Sequence, residues 1–123
     1  MEPTKTPSAS LGSLIVKVTT AQGAIPLEGA SVHIRGGSKE ASGVLHSLIT
    51  NRDGQTPIVL LPTPPLVNSQ SPDGGIPFAL YSIDVSKEGY LPLSFEQVPI
   101  FPAVLSIQPA VMIPAPEFFA EGR

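Results

Sequence analysis

Proline is spread along the whole of this chain and limits what the chain can fold into. Fifteen of the 123 residues are proline and 11 are glycine, whereas the usual share of proline is about 5%. Because proline removes a backbone donor and disrupts the preceding helical turn, most of the intervals between these residues are too short for helices. The longest interval without either residue, 78–88, alternates apolar and polar side chains as a strand does. The pattern predicts an all-β chain.

Turn residues divide the chain into seven predicted strands, which cover residues 13–20, 30–35, 44–50, 55–61, 79–86, 90–98 and 103–113. Pro57 marks the fourth strand as an edge strand or a late start, and Pro109 indicates a bulge or bend in the last one. Short strands with regular turn signals are typical of a seven-stranded, two-sheet β-sandwich with Greek-key connections. The predicted sandwich spans residues 12–113, with a long loop at 62–77 and with tails at 1–11 and 114–123.

Alternation also predicts which side chains face the core, because successive side chains of a strand point to opposite faces. The inward sets of the first, second and fifth strands are Leu14, Val16 and Val18; Ala30, Val32 and Ile34; and Tyr81, Ile83 and Val85. Gly89 allows a sharp turn after the fifth strand, and Tyr90 is then expected to cover the open end of the sandwich with its ring.

Charge and composition exclude several function classes. The formal net charge is −3 and the basic residues do not cluster, so we expect no nucleic-acid partner. No apolar run approaches the ~20 residues that span a bilayer, so we expect no membrane insertion. The chain contains no cysteine, which removes disulfides, thiol nucleophiles and cysteine-bound zinc. The first ten residues lack the pattern of a signal peptide.

Three motifs occur in a distinctive order: PLEGASV at 26–32, TNRDG at 50–54 and YSIDVSKEGY at 81–90. Together they resemble the carboxypeptidase-regulatory-like, transthyretin-like domain. The segment VPIFPAVLSIQPAVMIP at 98–114 resembles a variant of this domain in spore-forming Firmicutes, where it occurs alone or beside peptidoglycan-binding and cortex-lytic domains. The resemblance implies a transthyretin-like sandwich that acts as a spacer, folding aid or docking surface, without catalysis.

Candidate chemistry is sparse in the sequence. His33 and His46 are the only histidines, and no serine or cysteine nucleophile motif accompanies them, so we predict that the chain is not an enzyme. No third ligand is indicated near the histidines, and the Asn51–Gly54 segment lacks the later ligands of a calcium loop, so we predict no metal and no cofactor. Lys17 is interpreted as a solvated edge charge.

The function predicted from these patterns is that of a non-catalytic accessory or interaction module, in a spore or cell-envelope protein that processes peptidoglycan. The alternative is a structural building block of an oligomeric envelope or phage assembly. The expected partner is a protein or a neighbouring domain, with a cell-wall glycan as a further option. The candidate contact residues are Leu66, Val67, Phe78, Tyr90, Phe118 and Phe119.

Overall fold

The computed structural model describes residues 10–36, 44–64 and 78–116. Within these ranges the chain forms strands joined by turns, and no helix there is long and apolar enough to cross a membrane. The strands are β1 (Ser10–Thr20), β2 (Ile25–Pro26), β3 (Ser31–Gly36), β4 (Val44–Ile49), β5 (Val59–Thr63), β6 (Ala79–Ser86), β7 (Leu93–Ile100) and β8 (Leu105–Val111).

The strands form two sheets. Sheet A is built around β1, which pairs along one edge with β5 and then β2, both antiparallel, and along the other edge with β8 in parallel. Sheet B has the antiparallel order β4-β3-β6-β7. The prediction of an all-β chain with two packed sheets is confirmed, and the arrangement is consistent with a transthyretin-like sandwich.

The core lies between the two sheets and contains the predicted inward residues. Leu14, Val16 and Val18 of β1 are fully buried and belong to one cluster with the inward residues of sheet B. That cluster includes Val32 and Ile34 of β3, Tyr81, Ile83 and Val85 of β6, and the later residues Ile100, Ala110 and Met112. The face assignments made from alternation are therefore confirmed for β1, β3 and β6.

The fourth strand differs from its predicted range because of Pro57. Gln55 forms an isolated bridge with Lys17, and the backbone N–H of Thr56 donates to the carbonyl of Val16. The regular ladder with β1 then begins only at Val59 and continues to Thr63. The predicted loop therefore begins later than residue 62.

The predicted bulge or bend at Pro109 is wrong. The β1–β8 register runs without a shift from Ser13↔Leu105 to Thr19↔Val111. The N–H of Met112 donates to Thr19 of β1, so by alternation the nitrogen of Pro109 faces away from β1, where no ladder bond is lost. The irregularity lies in β7 instead, where the pairing with β6 shifts beside Gln97, whose φ is 60°.

The ordered pairing extends slightly beyond both ends of the predicted domain, 12–113. β1 begins at Ser10, and Pro114 bridges to Tyr90 while the N–H of Ala115 donates to Gly89. Tyr90 is half-buried and packs against the core cluster. The assignment of the outer residues as tails stays a prediction.

Replacing Ile83 by alanine should lower the free energy of unfolding by about 2–5 kcal/mol, because its fully buried side chain would leave a cavity between the sheets. The neighbouring Ser82 lies on the opposite face of β6 and is half-buried, so Ser82→Ala is the matched control with a much smaller loss. Urea unfolding of both variants measures the difference. Equal losses would contradict the observed register.

Candidate functional site

The outer face of sheet A is apolar, although it points away from the core. Ser13 lies between Leu60 of β5 and Leu105 of β8, and Ile15 lies opposite Ile107. Leu60, Leu105 and Ile107 are 54%, 50% and 60% exposed. We call this surface the apolar outer face and define it as Leu11, Ile15, Leu60, Leu105, Ile107 and Val111.

The edge of sheet A next to this face is formed by β8. In the described residues, no strand pairs with β8 on the side opposite β1. By alternation, the backbone groups of Leu105, Ile107 and Val111 point to that side, whereas Pro109 contributes a carbonyl and no N–H. Another strand could therefore form hydrogen bonds along this edge, except at Pro109 in its middle, where the N–H donor is missing.

An open depression of about 350 Å³ lies at the end of β1 near β2. It is lined by Lys17, Thr19, Gly23, Ala24, Pro26, Asp53 and Gln55. Lys17 is the only charged residue in the four strands of sheet A. In the described part of the chain, the ammonium of Lys17, the carboxylate of Asp53 and the amide of Gln55 have no hydrogen-bond or ion-pair partner.

The turn at 51–55 holds one wall of this depression against β1. The Asn51 Oδ1 accepts hydrogen bonds from the backbone N–H groups of Asp53 and Gln55, at 2.8 and 3.1 Å. The N–H of Val18 donates to the carbonyl of Gly54 at 2.7 Å. Gly54 has φ +77°, and a Cβ there would collide with the Val18 carbonyl, so only glycine allows this close approach.

The backbone that leads to the lining residues Gly23 and Ala24 is unusual. Ala21, Gln22 and Gly23 follow each other with φ of 55°, 60° and 96°. Left-handed backbone is unfavourable for residues other than glycine and is often found at ligand sites, where the surrounding structure enforces it. The N–H of Ala24 donates to the carbonyl of Ala21 and closes this tight turn.

The floor of the depression contains a buried hydroxyl group without a partner. Thr19 is 5% exposed, and its Oγ1 makes no hydrogen bond with any described residue. The hydroxyls of the other buried threonines, Thr20, Thr50, Thr56 and Thr63, all have hydrogen-bond partners. Buried polar groups are nearly always satisfied, so Thr19 is an exception that needs an explanation.

Replacing Thr56 by valine should lower the free energy of unfolding by about 1–3 kcal/mol, because the Val16 N–H would lose its acceptor, the Thr56 Oγ1 at 3.0 Å. Thr19→Val is the matched control and should cost nothing or increase stability, since no hydrogen bond within the protein is lost. Chemical denaturation of both variants tests this. A comparable loss for Thr19→Val would mean that its hydroxyl is satisfied within the chain.

The outer face of sheet B carries a polar row instead. Ser47, His33, Asp84 and Ser94 lie opposite one another on β4, β3, β6 and β7. The His33 Nδ1 and the Ser47 Oγ are 3.0 Å apart. The Asp84 carboxylate accepts hydrogen bonds from Arg35 Nε and Ser94 Oγ, each at 2.8 Å.

This row contains the residue types of a Ser-His-Asp triad but not its geometry. No hydrogen bond joins His33 to Asp84 in the described residues, because Arg35 and Ser94 bind that carboxylate. The row also lies on an open sheet face, where the backbone N–H groups are used in the ladders and form no oxyanion hole. The row is therefore a hydrogen-bonded surface cluster with one ion pair, Arg35–Asp84.

The neighbours of Asp84 set its protonation. Partial burial raises the pKa of the Asp84 carboxyl, but hydrogen bonds from Ser94 and Arg35 and the charges of Arg35 and His33 outweigh it. The pKa therefore lies below its ordinary value. Because the folded-state pKa is lowered, this carboxylate stabilises the fold above the unfolded pKa of about 3.9, and the contribution is lost as the pH falls through the folded pKa.

Asp84→Asn should therefore lower stability at neutral pH and make it less sensitive to acid. Between about pH 6 and about pH 2, the free energy of unfolding should fall less in the variant than in the unchanged protein. Glu96→Gln is the control, because Glu96 on β7 has no partner in the described residues. Urea midpoints across this pH range measure the slopes, and parallel slopes for Asp84→Asn and the unchanged protein would contradict the assignment.

The structure describes two of the predicted contact residues, Phe78 and Tyr90, which lie before and after β6, at its opposite ends. Phe78 is 47% exposed and makes an edge-on contact with Phe101, with 5.6 Å between the ring centroids. Tyr90 lies with Pro114, half-buried against the core. The remaining candidates, Leu66, Val67, Phe118 and Phe119, lie outside the described residues.

The two histidines lie on opposite faces of sheet B. His33 is opposite Ser47 on the outer face, whereas His46 pairs with the inward-facing Ile34. They therefore do not form a common metal site. Among residues 10–36, 44–64 and 78–116, no three potential metal ligands lie together.

The apolar outer face, the depression and the polar row were not predicted from the sequence. Apolar side chains recur at every second position in residues 105–111, but this pattern does not show which face of the strand is covered by the rest of the protein. Thr19 lies on β1, whereas Asp53 and Gln55 belong to the turn at 51–55, more than 30 residues later in the chain. The bridge between Lys17 and Gln55 places this turn beside β1, so that the three residues line one depression. The Asn-x-Asp-Gly spacing of the turn at 51–54 was the one local signal for this region.

The sequence matches no protein-family model and no curated protein. Among solved structures it is similar to an (S)-allantoin synthase, with TM-score 0.52 and 18% identity over 89% of this chain and 44% of that chain. It is also similar to 3-chlorocatechol 1,2-dioxygenase from Rhodococcus opacus 1CP, with TM-score 0.53 and 11% identity over 92% of this chain and 64% of that chain. A transthyretin from Sparus aurata matches with TM-score 0.41 and 9% identity over 83% of this chain and 93% of that chain. The likenesses to the synthase and the dioxygenase show the fold alone.

The prediction that this chain is not an enzyme is corrected by these comparisons. An allantoin synthase and a dioxygenase contain folds similar to this one, so membership in this fold does not exclude catalysis. Their low identities assign no reaction to this chain, because a fold hosts many functions. The chain spans less than half the length of the allantoin synthase chain and about two thirds of the dioxygenase chain.

Proposed function

We propose that this chain is an accessory interaction module that binds a partner protein or a neighbouring domain through the apolar outer face. The observation that carries the proposal is the exposure of Leu60 on β5 and of Leu105 and Ile107 on β8, on the same face of sheet A and on either side of β1. The setting proposed, a peptidoglycan-processing protein of a spore or cell envelope, rests on the resemblance of the motifs alone.

The character of this face favours contact with protein. Contiguous exposed apolar surface on a soluble domain marks an interaction site, and the centres of protein interfaces are depleted in charge. Sheet A contributes one charged residue, Lys17, whereas the outer face of sheet B carries Arg35, Asp84 and Glu96. A cell-wall glycan fits less well, because the apolar outer face offers no aromatic ring.

A second candidate is a building block that associates with its own copies, and the open edge of β8 favours it. Two β8 strands side by side would extend sheet A and join two apolar outer faces. Pro109 counts against this arrangement, because each copy lacks one N–H donor at the middle of the edge.

Site-specific photo-crosslinking tests the proposal. A photoreactive amino acid replaces Ile107 in the protein expressed in its native cells, and the same amino acid at Ser86 on the exposed end of β6 is the control. We expect a discrete adduct with another protein from position 107 and none from position 86. Adding Leu105→Glu should abolish the adduct, because a charge on this face opposes burial.

Sedimentation of the purified chain separates the two candidates. A monomer, together with an adduct to a different protein, supports the interaction module. An oligomer that Leu105→Glu dissociates, together with an adduct of two identical chains, supports the building block instead. The absence of any adduct from position 107 would contradict both functions.

A further inference from the structure

The depression beside β2 has a chemical character different from that of the apolar outer face. Its lining includes an ammonium group from Lys17, a carboxylate from Asp53 and an amide from Gln55. None of these three groups has a partner in the part of the chain that the structure describes. Its volume of about 350 Å³ lies at the lower end of the range for small-molecule sites.

The floor of the depression carries the strongest indication of a ligand. The Thr19 hydroxyl is buried and has no partner among the described residues, whereas the hydroxyl of the next residue, Thr20, donates to the Met112 carbonyl at 2.9 Å. A buried hydroxyl without a partner is unfavourable. A ligand group that hydrogen-bonds to Thr19 would remove this penalty.

The walls are held in place before any ligand arrives. Asn51 fixes the backbone at Asp53 and Gln55, and the Val18–Gly54 hydrogen bond holds the turn against β1. Gly23 and Ala24 line the opposite side of the depression and directly follow the left-handed residues Ala21 and Gln22. A site with a fixed shape loses less entropy on binding than a flexible one.

We propose that this depression binds a small zwitterion of the amino-acid or short-peptide class. Lys17 would bind the carboxylate of the ligand, Asp53 its ammonium group, and Thr19 and Gln55 its remaining polar groups. A phosphate fits poorly because Asp53 would repel it, and a simple cation because Lys17 would. This site adjoins the apolar outer face at Val111, which pairs with Thr19, but it uses other side chains than the proposed function does.

Titration with diglycine tests the proposal by two-dimensional ¹H–¹⁵N NMR. Two matched probes each lack one charge: N-acetylglycine has no ammonium group, and glycinamide has no carboxylate. We expect saturable shifts of the Thr19, Gly23, Asp53 and Gln55 amides with diglycine up to about 10 mM, ten times a weak dissociation constant of about 1 mM. Each probe with a single charge should bind at least about ten-fold more weakly, a loss of about 1.4 kcal/mol.

The same titration with variants of the protein tests which side chains bind the ligand. Lys17→Gln and Asp53→Asn should each weaken diglycine binding about two- to five-fold, the size expected for the loss of a partly exposed charge contact. The matched controls are Arg52→Gln in the same turn and Glu28→Gln beside β2, which do not line the depression. Thr19→Val should weaken binding without lowering the unfolding midpoint, which a merely structural role for this hydroxyl would not allow.

The proposal is overturned by any of three results. The first is the absence of shifts at these four amides with diglycine. The second is equal affinity for diglycine and for both probes with a single charge, since recognition of both charges would then be wrong. The third is unchanged affinity in Lys17→Gln and Asp53→Asn, with spectra that show both variants folded.

Discussion

The rest of the structure depends on one constraint, which is that β1 pairs with other strands along both of its edges. One edge of β1 binds β5 over residues 10–14 and β2 over residues 19–20, and the other binds β8 over residues 13–19. Between β5 and β2, residues 54–56 fill the gap: Thr56 forms hydrogen bonds with Val16, and the Gly54 carbonyl accepts one from the N–H of Val18. Without β1, sheet A has no other pairing between its strands. Its inward side chains also supply the centre of the core, so sheet order and core packing depend on the same eleven residues.

The same pairing gives the sandwich two unlike outer faces. Antiparallel and parallel neighbours of β1 bring Leu60 and Leu105 to either side of Ser13, which makes the outside of sheet A apolar. In sheet B, the register places His33, Asp84 and Ser94 in one row, where polar side chains form hydrogen bonds with each other. A solvated polar face needs no cover, whereas an apolar face of this width is stabilised by contact with another surface. The asymmetry indicates which side of the domain is available for association.

The polar groups without partners in the described residues lie where the end of β1 meets two turns, and not in the polar row of sheet B. The polar row of sheet B satisfies its own groups, since the Asp84 carboxylate is bound by Arg35 and Ser94. The depression beside β2 leaves the Thr19 hydroxyl and the side chains of Lys17 and Asp53 without partners in the described residues. Loops and turns on a rigid scaffold commonly carry binding residues. Enzymes with a similar fold show only that the scaffold tolerates very different sites.

The sequence by itself determined the all-β class, the turns at 51–54 and 87–89, and the inward residues of β1, β3 and β6. These features are local, because proline excludes helices and side-chain direction alternates along a single strand. Only the tertiary structure decided which surfaces stay uncovered. Leu105 and Ile107 have the pattern of core residues, yet they are exposed, while Ala110 and Met112 are buried. Burial depends on what packs across from a strand, and that contact joins residues far apart in the chain. For the same reason, only the fold distinguishes the Thr19 hydroxyl, which lacks a partner in the described residues, from that of Thr56, which accepts the Val16 N–H.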